Sequence, residues 1–120
     1  MEDTKKLGFD GEAFVASWLQ KSGFILLEKN FRTKFGEIDL ICQKEDLLVF
    51  VEVKTRRSTY FQIASVVNLS KQKKIIHIAK YYIYQNQIQD KICRFDVASI
   101  LFKDSKYEIE YFEDAFQEQF

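Results

Sequence analysis

The stretch GEIDLICQKEDLLVFVEVKTRR, from Gly36 to Arg57, decides how this chain folds. It holds two apolar runs, Glu37–Gln43 and Leu47–Lys54, joined by the polar Lys44-Glu45-Asp46. Both runs are of strand length and the joint is short, so they predict an antiparallel hairpin. With Glu45-Asp46 at the tip, Lys44 faces Leu47 and, counting outward, Asp39 faces Glu52. Directly opposed residues share one face, with Cβ atoms about 4.5–5.5 Å apart. Lys54 lies two positions beyond Glu52 and points the same way. A one-residue slip would put the two acids on opposite faces.

Charges at the ends of apolar strands are costly unless they are paired or hold a metal. Two carboxylates this close repel and raise one pKa, unless a cation sits between them. Their hard oxygens favour Mg²⁺ or Mn²⁺, with water and a phosphate oxygen in the remaining positions. The carbonyl of Val53 is a candidate further ligand. A bound cation there would polarise a phosphoryl group and lower the pKa of a water. Lys54 would orient that water or neutralise charge in the transition state. The expected activity is hydrolysis of a phosphodiester by a small nuclease. The competing reading is a pair of strand-end charges forming a surface ion pair. The tripeptide alone cannot decide, because Asp3-Thr4-Lys5 and Asp104-Ser105-Lys106 repeat its spacing.

The rest of the chain frames this hairpin. Leu7, Phe14, Val15, Trp18 and Leu19 recur at helical spacing, so the spacing predicts a helix over 4–22, closed by Gly23. Phe24–Leu27 reads as a short strand followed by a polar stretch, Glu28–Phe35. Residues 55–69 carry no clear pattern. Ser70 is the expected cap of a second helix ending near Gln85, with its apolar stripe on Ile75, Ile76, Ala79, Tyr82 and Ile83. Arg94–Phe102 and Tyr107–Phe112 read as strands around an Asp104-Ser105 turn. The order of elements predicts an α/β sandwich with a mixed sheet. The 120 residues make one domain, with 113–120 an acidic tail prone to fraying.

Composition narrows the class. The chain is 47% hydrophobic and 30% charged, as in ordinary globular proteins. No apolar run approaches the roughly 18 residues of a membrane span, and the N-terminus lacks a signal-peptide core, so the cytoplasm is the expected location. Cys42 and Cys93 lie in predicted strands without a CxxC pattern and are expected to be buried free thiols. Net charge is zero, but five acids and no basic residue fall between Glu108 and Phe120, leaving residues 1–107 with a basic excess of five. A nucleic-acid partner is compatible with that local field. Arg56, Arg57, Lys71, Lys73 and Lys74 are candidate phosphate contacts, or plain charged surface. Gln72 shares a face with the apolar stripe and either reaches the site or caps the helix. Glu37 is a support for the site or a strand-start charge. Asp96 reads as a structural acid paired with an arginine, His77 as a surface residue, and the Tyr81–Tyr84 cluster as packing or as a platform for bases.

The ordered set of motifs is more specific than any one of them. Gly8 with Gly11-Glu12-Ala13, Gly23-Phe24, Asn30-Phe31-Arg32, Gly36 to Ile41, Val49 to Arg56, Lys71-Gln72, Arg94 to Val97 and Asp114-Ala115-Phe116 span most of the chain. In these the sequence resembles the small bacterial YraN-type family, within the restriction-endonuclease-like PD-(D/E)xK nucleases and close in plan to archaeal Holliday-junction resolvases. The resemblance implies a three-layer core and a Mg²⁺- or Mn²⁺-dependent endonuclease acting on DNA, including branched or structured DNA. Asp39, Glu52 and Lys54 take the motif positions, and Glu12 takes the helix position that adds an acidic group in related resolvases. The alternative is a nucleic-acid-binding protein that keeps the fold without cutting. A homodimer would suit two-strand cleavage. Ile38 stands where the motif's proline would be. Residues 62–69, QIASVVNL, lack the glycine, proline and glutamate that many relatives carry there.

Overall fold

The computed structural model describes residues 4–56 and 67–118. Helix α1 (Thr4–Lys21) leads into strands β1 (Ile25–Thr33), β2 (Gly36–Lys44) and β3 (Leu47–Arg56). Helix α2 (Leu69–Gln85) follows, then β4 (Ile92–Lys103) and β5 (Lys106–Phe116). The five strands form one sheet in sequence order, with β3 and β4 parallel and the other pairs antiparallel. A parallel pair needs a crossover connection, and α2 lies within it.

Alternation along β3 sorts its side chains between two layers. Leu48 and Phe50 pack with Ile75, Ile78, Ala79 and Tyr82 of α2. Val49, Val51 and Val53 pack with Val15, Ala16 and Leu19 of α1. A strand covered on both faces has no polar side to show, so its sequence reads as a continuous apolar run. The domain is thus α/β in three layers: helix, mixed sheet, helix.

Each helix has a specific stop or start. Gly23, at φ +96°, ends α1. The amides of Gly23 and Phe24 donate to the carbonyls of Gln20 and Leu19, an arrangement that glycine adopts without strain. At α2 the cap is Asn68 rather than the expected Ser70. Its Oδ1 accepts from the Lys71 amide at 2.9 Å. Both residue types cap well, so composition alone could not separate them.

Gly11 brings α1 down onto the far end of β3. A Cβ added at Gly11 would lie 2.0 Å from Thr55 Oγ1. We expect Gly11→Val to lower stability in urea unfolding by about 1–3 kcal/mol, the usual cost of overpacking. Gly11→Ala should lose less, because alanine recovers about 1 kcal/mol of helix propensity.

Several boundaries differ from the sequence reading. β1 continues through Glu28–Thr33, which the polarity of that stretch hid: it is an edge strand with a register shift between Leu26 and Glu28 and a positive φ at Asn30. β5 runs to Phe116, so residues 113–116 are strand rather than tail, and Phe116 is buried beside Phe95. Cys42 is buried as expected, but Cys93 is exposed near the start of β4. The unassigned stretch begins as the end of β3; residues 57–66, including Arg57 and part of the divergent 62–69 segment, lie outside the described residues. Among the described residues, no helix is long and apolar enough to cross a membrane.

Candidate functional site

The β2–β3 ladder has the register that the hairpin predicts, from Lys44↔Leu47 to Leu40↔Val51. The next rung would join Asp39 to Glu52. Instead, the Asp39 carboxylate enters the ladder's place, and Oδ2 accepts from the Val53 amide at 2.7 Å. A strand residue directs its N–H and C=O to the same edge, so the Val53 carbonyl also faces this opening, while its side chain packs toward α1. Both acids are buried, Asp39 at 6% exposure and Glu52 at 8%.

α2 supplies the nearest cation. Lys71, in the first turn of the helix, places Nζ 2.6 Å from Glu52 Oε1. The two acids and Lys71 line a cavity of about 420 Å³, together with Phe35, Glu37 and Lys74. Glu12 approaches from α1, next to the Gly11 contact. Its Oε2 is buried and has no hydrogen-bond partner among the described residues.

The electrostatics are those of a buried acid cluster. Asp39 is pushed up to about 8, first by burial and then by the charge of Glu52. The Val53 amide opposes that rise, while Glu12 and Glu37 add to it. Glu12 is also raised, chiefly by burial, against a hydrogen bond from Asn30. A carboxyl with a raised pKa binds its proton more tightly in the native than in the unfolded state. The metal-free protein should therefore lose stability as pH rises from the ordinary value of 3.8 toward about 8, and level off beyond. Thermal unfolding in EDTA between pH 5 and 9 measures this, and Asp39→Asn should flatten the decline. An equally steep decline in that variant would place the titration elsewhere.

The donor chemistry suits a hard divalent cation. Mg²⁺ usually binds through one or two carboxylates, with water and substrate phosphate completing its shell. Asp39 and Glu52 provide such a pair, and the partnerless Glu12 oxygen provides a site for a further ligand or its water. Among the described residues, no three His, Cys, Asp or Glu side chains already converge as a cage. A cation entering here also competes with Lys71 for Glu52.

The other candidates are more dispersed. Lys54 is half-buried two residues beyond Glu52 and does not line the cavity. Arg56 is half-buried at the end of β3, and Arg57 lies outside the described residues. Gln72 spends its amide on the Val67 carbonyl at 3.0 Å, which fixes the entry to α2 and keeps it out of the cavity. Asp96 is the structural acid expected, joined to Arg94 by two contacts of 2.9 Å. His77 is exposed. Sequence reading missed Asn30 and Phe35. The signal for Asn30 was a residue type that tolerates positive φ inside a polar run; Phe35 gave none beyond an aromatic beside glycine.

Fold and site together define an α/β domain whose central sheet parts at a buried carboxylate pair. The sequence model of the uncharacterised protein family UPF0102 matches residues 11–100, a span that holds Glu12, Asp39, Glu52, Lys54 and Lys71. A UPF0102 protein of Clostridium perfringens strain 13 is 43% identical over 116 residues, covering 94% of this chain and 95% of its own. One from Dictyoglomus thermophilum is 45% identical over 104 residues, covering 86% and 88%. One from Geotalea daltonii is 45% identical over 116 residues, covering 95% and 91%. The chain belongs to the UPF0102 family.

Proposed function

We propose that this protein is a divalent-cation-dependent endonuclease with a restriction-endonuclease-like core, cutting DNA that is branched or otherwise structured. The observation that carries the reading is the buried Asp39–Glu52 pair at the parting of two strands, with Asp39 pushed up to about 8 by burial and then by the charge of Glu52. Asp39 and Glu52 would hold Mg²⁺ or Mn²⁺, which when bound supplies Lewis acidity and a water of lowered pKa. The Val53 amide fixes Oδ2 of Asp39, and Oδ1 would serve the site. Glu12 would accept a hydrogen bond from a water at the rim. Lys71, released from Glu52, and Lys74 would take phosphate oxygens. Lys54 would swing toward the attacking water from the end of β3, with Arg56 and Arg57 on the neighbouring backbone.

Cleavage of branched, flapped and linear DNA with Mg²⁺ or Mn²⁺ tests the reading. Activity that chelation removes but that survives both Asp39→Ala and Lys54→Ala would belong to another site or a contaminant. One observation favours a binding protein that does not cut: Lys71 already neutralises Glu52. Calorimetric titration with Mn²⁺ separates the two, since the binder predicts no heat that depends on Asp39.

A further inference from the structure

We propose that the cleft between the β1–β2 turn and α2 holds an unpaired nucleobase, so that the favoured strand carries a single-stranded segment beside the carboxylate cavity. This rests on reading that cavity as a phosphodiester site. The turn is built to hold an aromatic ring away from the core. Phe35 stands at its tip, 55% exposed. Thr33 Oγ1 accepts from the Phe35 amide at 3.0 Å and donates to the Gly36 carbonyl at 3.3 Å. Gly36 follows at φ +138°, a conformation that other residues adopt only with strain. This chain thus fixes in solvent a phenyl ring that the hydrophobic effect alone would fold away.

What surrounds the ring points to the ligand. The Lys34 ammonium lies 5.2 Å from the Phe35 centroid, and the His77 ring stands perpendicular to it at 5.1 Å. Across the cleft Tyr81 is 47% exposed. The cleft is about 390 Å³, and among the described residues no carboxylate lines it. Arg32 is there too, held by Glu37 at 2.9 Å, while Lys34 pairs with no carboxylate among the described residues. Exposed aromatic rings, a cation and no acid suit a flat π-system carried on an anionic backbone. Base-on-aromatic stacking of this kind tolerates any base. A base already unpaired costs least to place there. Phe35 and Ile78 line both the cleft and the carboxylate cavity, so one strand can occupy both.

The test is fluorescence anisotropy in EDTA with labelled oligothymidylate and an abasic oligomer of the same length. The wild-type protein should bind the base-bearing strand at least about fivefold more tightly. Phe35→Ala, Phe35→Leu and Tyr81→Ala should each reduce that ratio while keeping the affinity for the abasic strand. Matching thermal unfolding would show that the variants are folded. Equal affinity of the wild type for both strands overturns the proposal, as does a parallel loss for both strands in the variants. A shift in sedimentation with the ratio unchanged overturns it too, and marks the cleft as a protein contact. Binding is read in EDTA and cleavage with Mg²⁺ or Mn²⁺, so an intact ratio without cleavage sinks the nuclease reading alone, and cleavage without the ratio sinks the cleft alone.

Discussion

Asp39→Asn is expected to lower Mn²⁺ affinity and cation-dependent cleavage by more than about 100-fold, while leaving the metal-free protein at least as stable as wild type at pH 9. The two effects have one cause. Removing a group that only supports a metal ligand typically costs about 10–100-fold, so losing a ligand itself costs more. The same carboxylate, when ionised and metal-free, is a buried charge beside Glu52, and the Val53 amide donates to it. Asparagine keeps an oxygen for the Val53 amide and removes the charge. Calorimetry with Mn²⁺ and urea unfolding at pH 9 measure the two sides. A variant that is clearly destabilised while its Mn²⁺ affinity is intact would make Asp39 a structural residue.

Asp96 should behave in the opposite way. We expect Asp96→Ala to lose about 3–5 kcal/mol in urea unfolding, the range for breaking a buried ion pair. Asp96 is fully buried, yet every charge on it is answered. Arg94 bonds both oxygens at 2.9 Å, Tyr111 Oη donates to Oδ2 at 2.6 Å, and the Asp114 amide donates to Oδ1 at 2.9 Å. Burial and the nearby Asp96 charge hold the Tyr111 hydroxyl protonated, as that donor role requires. Truncation leaves the Arg94 guanidinium with a 3.8 Å contact to Glu113 in place of two at 2.9 Å, and leaves two other donors without this acceptor. It also loosens the β4–β5 register shift between Phe95 and Val97, where Asp114 adopts a positive φ. A loss below about 1 kcal/mol would contradict this account. Both aspartates are buried, and among the described residues they differ in how many donors meet them. That difference separates a binding group from a structural one.

The hairpin was legible because two apolar runs of strand length meet at a short polar joint, and placing Glu45-Asp46 at its tip sets the register. The pairing of Leu40 with Val51 is the direct result. Asp39 and Glu52 could be brought together on that basis alone. β1 was only half legible: Glu28, Lys29 and Arg32 are exposed on an edge strand, where polar residues cost little and erase the pattern. Cys93 was misplaced because the first two residues of β4 are exposed although apolar in sequence. The contacts made across the sheet were out of reach. Lys71 was recognisable as a cation at a helix start, but its pairing with Glu52 depends on how α2 crosses the sheet. Gln72 had two plausible partners in sequence, and the carbonyl of Val67, five residues back, was the nearer one.

One rung of the sheet is made by a side chain. The Val53 amide, which backbone would ordinarily claim, belongs to Asp39. Its exchange with solvent deuterium is therefore tied to the protonation of a single carboxyl, and to whatever ion that carboxyl comes to hold. An isotope-labelled sample would carry its own gauge of occupancy at position 53. No added probe would be needed, and the amide would respond before any bond in a substrate was broken.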